Sequence, residues 1–545
     1  MAKKKNKKYI FVVGGVMSGV GKGITTSSIA NIIQSRGFSV TALKVDPYIN
    51  VDAGTMNPTE HGEVFVLADG DETDQDMGNY ERFLETELPS SNYMTTGRVY
   101  QTVIERERRG GYKGKCVEVV PHIPLEVISR LEKAAKKENA EVVITEIGGT
   151  IGEYQSLLFL EAARMLKTKH SDDVLFVLVS YVPLPSKVGE MKTKPTQYAS
   201  RTLNGAGIQA DIIIARSEVP MDDKRKEKIA MSCAVDKNSV ISAPDVDSIY
   251  HVPLNFEKDN LSNIILKKLG LKARKRDISK WENFTKKIDK ADKTIKIGIV
   301  GKYFETGDFV LSDAYISVIE ALKHASYHNG YKPELAWLDS SVYENDISKL
   351  KDLKEYDGIV VPGGFGSRGI EGKISVAKYC RENKIPYFGL CYGMQIAVIE
   401  FARNVAGIQG AQTAEIDDKS KNLVIDILPE QKEKLKKKDF GGSMRLGSYP
   451  AKIIMGTIAR NAYKKAEITE RHRHRYEVNP EYIQQIEKAG LVFSGKSPDG
   501  ILMEIVELPK EIHPFYLATQ FHPEFQSTPL TPHPLFMAFV KEVQK

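Results

Sequence analysis

Only four cysteines occur in 545 residues, Cys116, Cys233, Cys380 and Cys391, and they have neither the spacing of a disulfide framework nor that of a metal site. A reducing compartment, the cytoplasm, is therefore expected. Long apolar runs are missing as well. The longest, residues 174–182, is interrupted by Ser180 and falls far short of the roughly 18 residues that cross a bilayer, so no membrane segment is expected. The stretch before the first apolar run holds Lys3, Lys4, Lys5, Lys7 and Lys8 instead of the apolar core of a secretion signal, and reads as a solvated, frayed tail. Neither sign of charge dominates: 77 basic against 71 acidic residues leave +6, which gives no argument for a nucleic-acid partner. No internal repeat is visible.

What is present is ordinary soluble composition, 41% hydrophobic and 27% charged, over a length that suits two or three domains rather than one core. Short β-branched runs at residues 9–13, 40–45, 141–144, 174–180 and 211–215 alternate with helix-length amphipathic stretches. Continuous apolar runs separated in this way predict buried parallel strands with helices on both faces of the sheet. The pattern collapses at residues 272–293 into lysine-rich sequence whose few large apolar residues include Ile278, Trp281, Phe284 and Ile288. A second alternating series follows at 295–300, 358–361, 386–390 and 516–520. The expected division is a first domain over 1–271, a linker over 272–294 and a second domain over 295–545. Lysine-rich residues 431–438 read as a solvated helix or loop of the second domain.

Near the start, Gly14-Gly15-Val16-Met17-Ser18-Gly19-Val20-Gly21-Lys22-Gly23 follows an apolar strand and precedes a helix beginning near Ile24. It departs from the usual phosphate loop by one extra residue and by Gly23 in the Ser/Thr position. The strand–loop–helix context still aims backbone amides and a helix dipole at a phosphate chain, with Lys22 to neutralise it. The competing reading is a glycine-rich turn without a ligand. Lys44 ends the next strand, where doubly wound sheets present ligand-binding groups, although a salt-bridge role explains it equally well. Mg2+ accompanying a nucleoside triphosphate takes one or two carboxylates, and Asp69, Asp71, Glu72, Asp74, Asp76 and Glu146 are all candidates on spacing alone. Residues 190–197, with two lysines, two threonines and a glutamine around Pro195, suit either an anionic, hydrogen-bonding ligand or a plain exposed loop.

In the second half, Cys391 stands between an apolar strand and a helical pattern, flanked by Gly389 and Gly393. That is a nucleophile elbow: the glycines permit a strained turn, the helix N-terminus favours a thiolate, and the Tyr392 amide faces a developing oxyanion. A buried structural cysteine is the alternative. Gly364, in the turn at 361–366, is expected to supply the second oxyanion donor. His522 is expected to act as base and then acid, with Glu524 orienting it. In Arg471-His472-Arg473-His474-Arg475-Tyr476-Glu477 the alternation places the three arginines on one face, which suits carboxylate recognition better than a metal or nucleic acid.

The motifs GGVxSxxGKG, DPYxNVD, DGxETDxDxG, EIGGTxG, KTKPTQ, PGGFGxRG, GLCYGMQ, ERHRHRYEVN and QFHPEF occur in order, and with them the chain resembles the CTP synthase family over nearly its whole length. The resemblance implies an α/β protein of two doubly wound domains, an N-terminal P-loop amidoligase (synthetase) domain and a C-terminal class I glutamine amidotransferase domain. It implies ATP-dependent amination of UTP to CTP with ammonia from glutamine, Mg2+ with the ATP and no prosthetic group, GTP as activator, CTP as inhibitor, and a homotetramer. By motif, Gly19, Val20, Gly21, Lys22, Gly23, Ile24, Asp76, Asp245 and Val246 are similar to the family's ATP contacts, and Asp76 and Glu146 to its magnesium ligands. Ser18, Lys44, Glu153, Tyr154, Gln155, Lys192, Thr193, Lys194, Pro195, Thr196, Gln197 and Lys228 resemble its UTP and CTP contacts. Gly364, Tyr392, Gly393, Met394, Gln395, Glu415 and Arg475 resemble its glutamine contacts. Departures are small: Thr413-Ala414-Glu415-Ile416 replaces a more usual Ser-Thr-Glu-aromatic run, and Tyr198 stands where histidine is common.

Two rival readings make different demands. A cobyric-acid-type amidoligase shares the deviant phosphate loop and the triad but amidates a carboxylate, and KTKPTQ and DPYxNVD speak against it. A P-loop switch or filament-forming scaffold with a vestigial amidotransferase domain would not need Cys391, His522 and Glu524 together.

Overall fold

The computed structural model describes residues 6–187, 189–302, 305–306, 309–310, 312–364, 368–427 and 444–544. Lys3, Lys4, Lys5, Phe365, Gly366 and the stretch 431–438 lie outside the described residues. Two compact units divide the chain: residues 1–52 with 76–285, and residues 53–75 with 286–545.

The β-branched runs of the first unit form a seven-stranded sheet in the order Tyr93–Thr95, Val40–Asp46, Val142–Ile147, Lys8–Gly15, Val174–Tyr181, Ile212–Ser217, Val240–Pro244. All of its pairings are parallel. Residues such as Ile10, Val12, Val142 and Val177 are fully buried, as expected where helices cover both faces. The chain winds to one side of Lys8–Gly15 and then to the other, so the reversal of strand order, where such sheets bind ligands, falls beside that strand. Lys8 is not part of a frayed tail. It opens the strand and pairs with Asp173 at 2.7 Å, while Lys7 donates to the Ala140 carbonyl.

The second unit carries a nine-stranded sheet in the order Tyr331–Asp339, Lys293–Gly301, Gly358–Val361, Tyr387–Leu390, Tyr516–Thr519, Met503–Glu507, Val492–Lys496, Arg445–Ile453, Glu467–His474. The first five strands are parallel and the rest antiparallel. The antiparallel half buries charged and polar side chains such as Arg445, Glu470, Arg471, His472 and Glu504, so it lacks the β-branched runs that mark the parallel strands in the sequence.

Two features differ from the contiguous division expected from sequence. The stretch 272–294 contains a helix, Ser279–Lys290. Trp281 and Phe284 lie on one face of it and pack on Phe83 and Tyr250 of the first unit, and the Trp281 indole donates to the Tyr250 carbonyl at 2.8 Å. Residues 53–75 belong with the second unit. There the antiparallel pair Val64–Val66 and Glu72–Asp74 buries Val64, Phe65, Val66 and Leu67, each worth roughly 1.5–3 kcal/mol. Phe65 meets Phe525 edge-on at 5.0 Å, and Arg471 donates to the Val66 carbonyl at 3.2 Å.

Candidate active sites

In the first unit the loop after Lys8–Gly15 turns through left-handed backbone at Gly19 and Gly21 into the helix Lys22–Gln34. Lys22, its first residue, folds back over Gly14 and donates to the Gly149 carbonyl at 2.9 Å. Burial pushes its ammonium down, against the pull of Glu146. Gly23 occupies the usual Ser/Thr position for a steric reason. A Cβ there would lie 2.0 Å from Asp76 Oδ1, so the Asp76 carboxylate fills the space a hydroxyl side chain takes in an ordinary phosphate loop.

Lys44 and Glu146 are register partners on adjacent strands, and their side chains meet at 2.9 Å. Lys44 also bonds Asp76 and lies 3.7 Å from Asp46. Burial, reinforced by Asp76, pushes the Glu146 carboxyl up against the opposing Lys44 charge. Burial alone would raise Asp76 too, but the Lys44 charge and hydrogen bond outweigh it and hold Asp76 below the usual carboxylate range. Two carboxylates on one cation fit the donor set Mg2+ accepts, since Mg2+ keeps several waters beside one or two carboxylates. Of the acidic cluster read in the sequence, Asp76 alone belongs to this unit. Glu72 pairs with Arg473 in the second.

The loop's Gly21 and Ile24 share a cavity of about 250 Å³ with Asp245 and Val246. Arg216, not singled out in the sequence, lines it too and pairs with Asp245. Its signal was its place at the end of a parallel strand. Ser18 is exposed on the loop. Glu153, Tyr154 and Gln155 form the turn after Val142–Ile147; Gln155 donates to Glu153 at 2.9 Å, and Tyr154 is 89% exposed. Lys194 and Pro195 open the helix Lys194–Gly205. Gln197 donates to Thr193 at 3.1 Å, and the Thr196 hydroxyl is buried against Ser180 at 2.9 Å. Lys192 pairs with Glu190, and Lys228 adds its charge there. That helix approaches the loop after Val142–Ile147 where Gly15 leaves room for Ala199 and Ile151.

In the second unit the parallel register of Tyr387–Leu390 with Tyr516–Thr519 brings Cys391 and His522 to one end of the sheet. The Cys391 amide donates to the Thr519 carbonyl at 2.6 Å. Cys391 has φ 51° and ψ −98°, a strained conformation costing about 1–3 kcal/mol. Both flanking glycines are required by close packing: a Cβ at Gly393 would sit 2.2 Å from the Val361 carbonyl oxygen, and one at Gly389 would sit 2.7 Å from the Gly393 backbone. His522 Nδ1 lies 2.7 Å from Glu524 Oε1, and the imidazole stacks on Phe525. Burial alone would lower the His522 pKa, but the charges of Glu524 and Cys391 carry it up to about 10.

The thiol lies 3.7 Å from the Arg473 carbonyl, to which it donates, and accepts from Gln520 at 3.7 Å. A cavity of about 60 Å³ is lined by Cys391, His522, Glu524, Gly363 and Gly364, and also by Arg473, Pro58, Glu63 and Val64. At Gly363 a Cβ would lie 3.0 Å from the imidazole Cε1, so any larger residue would press on His522. Gly393, Met394 and Gln395 form the first turn after Tyr392, and Gln395 donates to the Tyr476 carbonyl at 3.2 Å. The charges of Glu415 and Arg475 both act on the Tyr476 hydroxyl. Gln520 and Phe525 were missed as site residues, and Arg473 meets the thiol through its backbone carbonyl. Arg471 and Arg473 point to the 53–75 segment, so the carboxylate that Arg473 recognises is the chain's own Glu72.

Among the described residues, no helix is long and apolar enough to cross a membrane, no group of three or more His, Cys, Asp or Glu is placed to hold a metal, and all four cysteines are free.

A glycine-rich strand–loop–helix turn on a parallel sheet, in one chain with a thiol, imidazole and carboxylate at a strand–helix elbow, defines a two-unit α/β protein of the amidotransferase class. Residues 8–271 match the family model for the CTP synthase N-terminus, and residues 310–542 match that for class I glutamine amidotransferases. The CTP synthase of Carboxydothermus hydrogenoformans is 52% identical over 98% of both chains, and that of Pyrococcus furiosus 50% identical over 99% of this chain and 98% of that one. A solved Trypanosoma brucei CTPS glutaminase domain with bound acivicin is 38% identical with a TM-score of 0.42, covering 46% of this chain and 94% of that one. The chain belongs to the CTP synthase family, which sets aside the cobyric-acid-type alternative.

Proposed function

We infer that this protein converts UTP to CTP, using ATP and nitrogen released from glutamine. The observation that carries the reading is the strained Cys391 elbow sharing one cavity with the His522–Glu524 pair, in a chain of this family. The Cys391 thiolate adds to the amide carbon of glutamine, and backbone amides at Gly364 and Tyr392 stabilise the oxyanion. His522 holds the thiol proton and passes it to the nitrogen as the C–N bond breaks and ammonia leaves. A water deprotonated by His522 then cleaves the γ-glutamyl thioester to glutamate and restores the thiol, while Glu524 keeps the imidazole oriented. Arg475 and Glu415 suit the α-carboxylate and α-ammonium of glutamine, and Gly393, Met394 and Gln395 border its side chain.

In the first unit ATP phosphorylates O4 of the uracil; ammonia then adds at C4 and phosphate departs. Lys22 and the loop 19–24 hold the ATP phosphates, and Asp245 and Val246 border the base. Ser18, Lys44, Glu153–Gln155, Lys192–Gln197 and Lys228 hold the pyrimidine nucleotide, UTP as substrate or CTP as inhibitor. Asp76 and Glu146 would hold Mg2+ here, and the ion would supply charge neutralisation on the phosphates. Lys44, which bridges those two carboxylates, keeps them in place before the nucleotide arrives. GTP activation and a homotetramer belong to the same reading. Exposed Val119, Val120, Leu125, Tyr154, Leu157 and Tyr198 are apolar surface available for association. The site chemistry fits a cytoplasmic biosynthetic enzyme.

The test is chromatographic. With ATP, UTP, Mg2+ and glutamine the protein should yield CTP, glutamate and phosphate in equal amounts. Absence of CTP with glutamine and with ammonium alike would overturn the reading.

A further inference from the structure

Arg473 touches the thiol site in two ways. Its carbonyl accepts from the Cys391 thiol at 3.7 Å, and its guanidinium leaves the strand to grip the 53–75 segment. Nε lies 2.8 Å from Glu72 Oε1 and Nη2 lies 3.5 Å from the Gly54 carbonyl. The pair is well shielded, with side-chain exposures of 11% and 6%. Glu72 lies so close over Gly54 that a Cβ at 54 would come within 2.1 Å of its carboxylate. One guanidinium therefore ties together the two flanks of the segment. Between those flanks, Pro58, Glu63 and Val64 form the wall of the cavity facing Cys391 and His522. Glu63 is itself fastened, accepting from the Ser317 amide and hydroxyl.

A cavity of about 60 Å³ has room for a few molecules the size of water or ammonia. Its wall on this side comes from a segment whose two flanks are joined by a buried charge pair, and removal of one partner leaves the other charge uncompensated. We propose that the Glu72–Arg473 pair is a positioning clasp that keeps the 53–75 segment closed over the thiol, so that ammonia freed at Cys391 is retained for amination instead of escaping to water. The clasp rests on the function inferred above. It acts on the fate of the ammonia and not on either chemical step.

The test compares three rates in the full-length protein: glutamate formation from glutamine, CTP formation from glutamine, and CTP formation from ammonium. In Glu72→Gln, CTP formed per glutamate released should fall at least about fivefold, with glutaminase and ammonium-dependent rates each within about twofold of the parent. Arg473→Lys keeps the charge but loses the forked reach to Gly54, and carries the same readout should Glu72→Gln fail to fold. The double variant should lose no more coupling than the worse single one, as expected of residues acting through one contact. A variant that is merely less stable lowers all three rates together and leaves the ratio unchanged. An unchanged ratio in both single variants, or additive losses in the double, would overturn the proposal. A parent that makes CTP from neither nitrogen source would instead overturn the inferred function.

Discussion

Lys44 and Glu146 sit opposite one another on neighbouring parallel strands and meet at 2.9 Å in a place almost closed to water. One ammonium there serves three carboxylates, Glu146, Asp76 and Asp46. Replacing it with Met should cost about 3–5 kcal/mol, because buried acids are left without a counter-charge. Urea unfolding measures this, and CTP synthesis from either nitrogen source should be lost while glutaminase activity persists. A Lys44→Met protein as stable as the parent would show that the carboxylates do not depend on this cation.

Cys391→Ala should reduce glutamine-dependent synthesis at least about a thousandfold, since the nucleophile is removed, and leave ammonium-dependent synthesis largely intact. Parallel assays with the two nitrogen sources decide it. Retained glutamine use would place the nucleophile elsewhere.

Lys22→Ala should abolish synthesis from both nitrogen sources, because activation of the pyrimidine precedes amination. Glutaminase activity serves as the control for folding. Persistent ammonium-dependent synthesis would remove Lys22 from the phosphate site.

His522 gives a pH test. Its folded-state pKa is carried from the ordinary 6.5 up to about 10, so its contribution to stability is fully present below pH 6.5 and is lost as pH rises through about 10. The charge of Glu524 is the foremost of the contributions that raise it. Glu524→Gln should flatten the fall in melting temperature between neutral pH and pH 10, and should bring the alkaline limb of glutaminase kcat/KM down by a unit or more, about 1.4 kcal/mol per unit. Coincident profiles for parent and variant would disconnect Glu524 from the imidazole.

Gly393→Ala tests the elbow's packing. Its Cβ would meet the Val361 carbonyl oxygen at 2.2 Å, and relieving that clash should cost about 1–3 kcal/mol and displace the Tyr392 amide. Thermal melts and the glutaminase rate should both fall. An unaltered rate would separate the oxyanion site from this turn.

Much of this was legible along the chain because its physics is local. Buried parallel strands announce themselves as β-branched runs, and a strand–Gly-x-Cys-x-Gly–helix sequence specifies a strained turn before any fold is known. The rest depended on contacts between distant residues. No spacing rule separates Asp76, which meets Lys44, from Glu72, which meets Arg473. Gly23 looked like a defect in a phosphate loop until the Asp76 carboxylate was found in the missing side chain's place. Residues 53–75 carry no boundary signal at either end, and their membership of the second unit follows from what Phe65, Val66 and Glu72 touch. Trp281 and Phe284 looked sparse in a basic stretch, yet three residues apart they make a helix face.

The most direct measurement follows the nitrogen. Glutamine labelled with 15N in its side-chain amide is supplied with ATP, UTP and Mg2+, and the CTP formed is read by mass spectrometry. The expected result is CTP carrying 15N at its 4-amino group in step with glutamate release, and Cys391→Ala forming none of it. Glutamate release with no label reaching CTP, in the parent protein, would contradict the coupling of the two reactions.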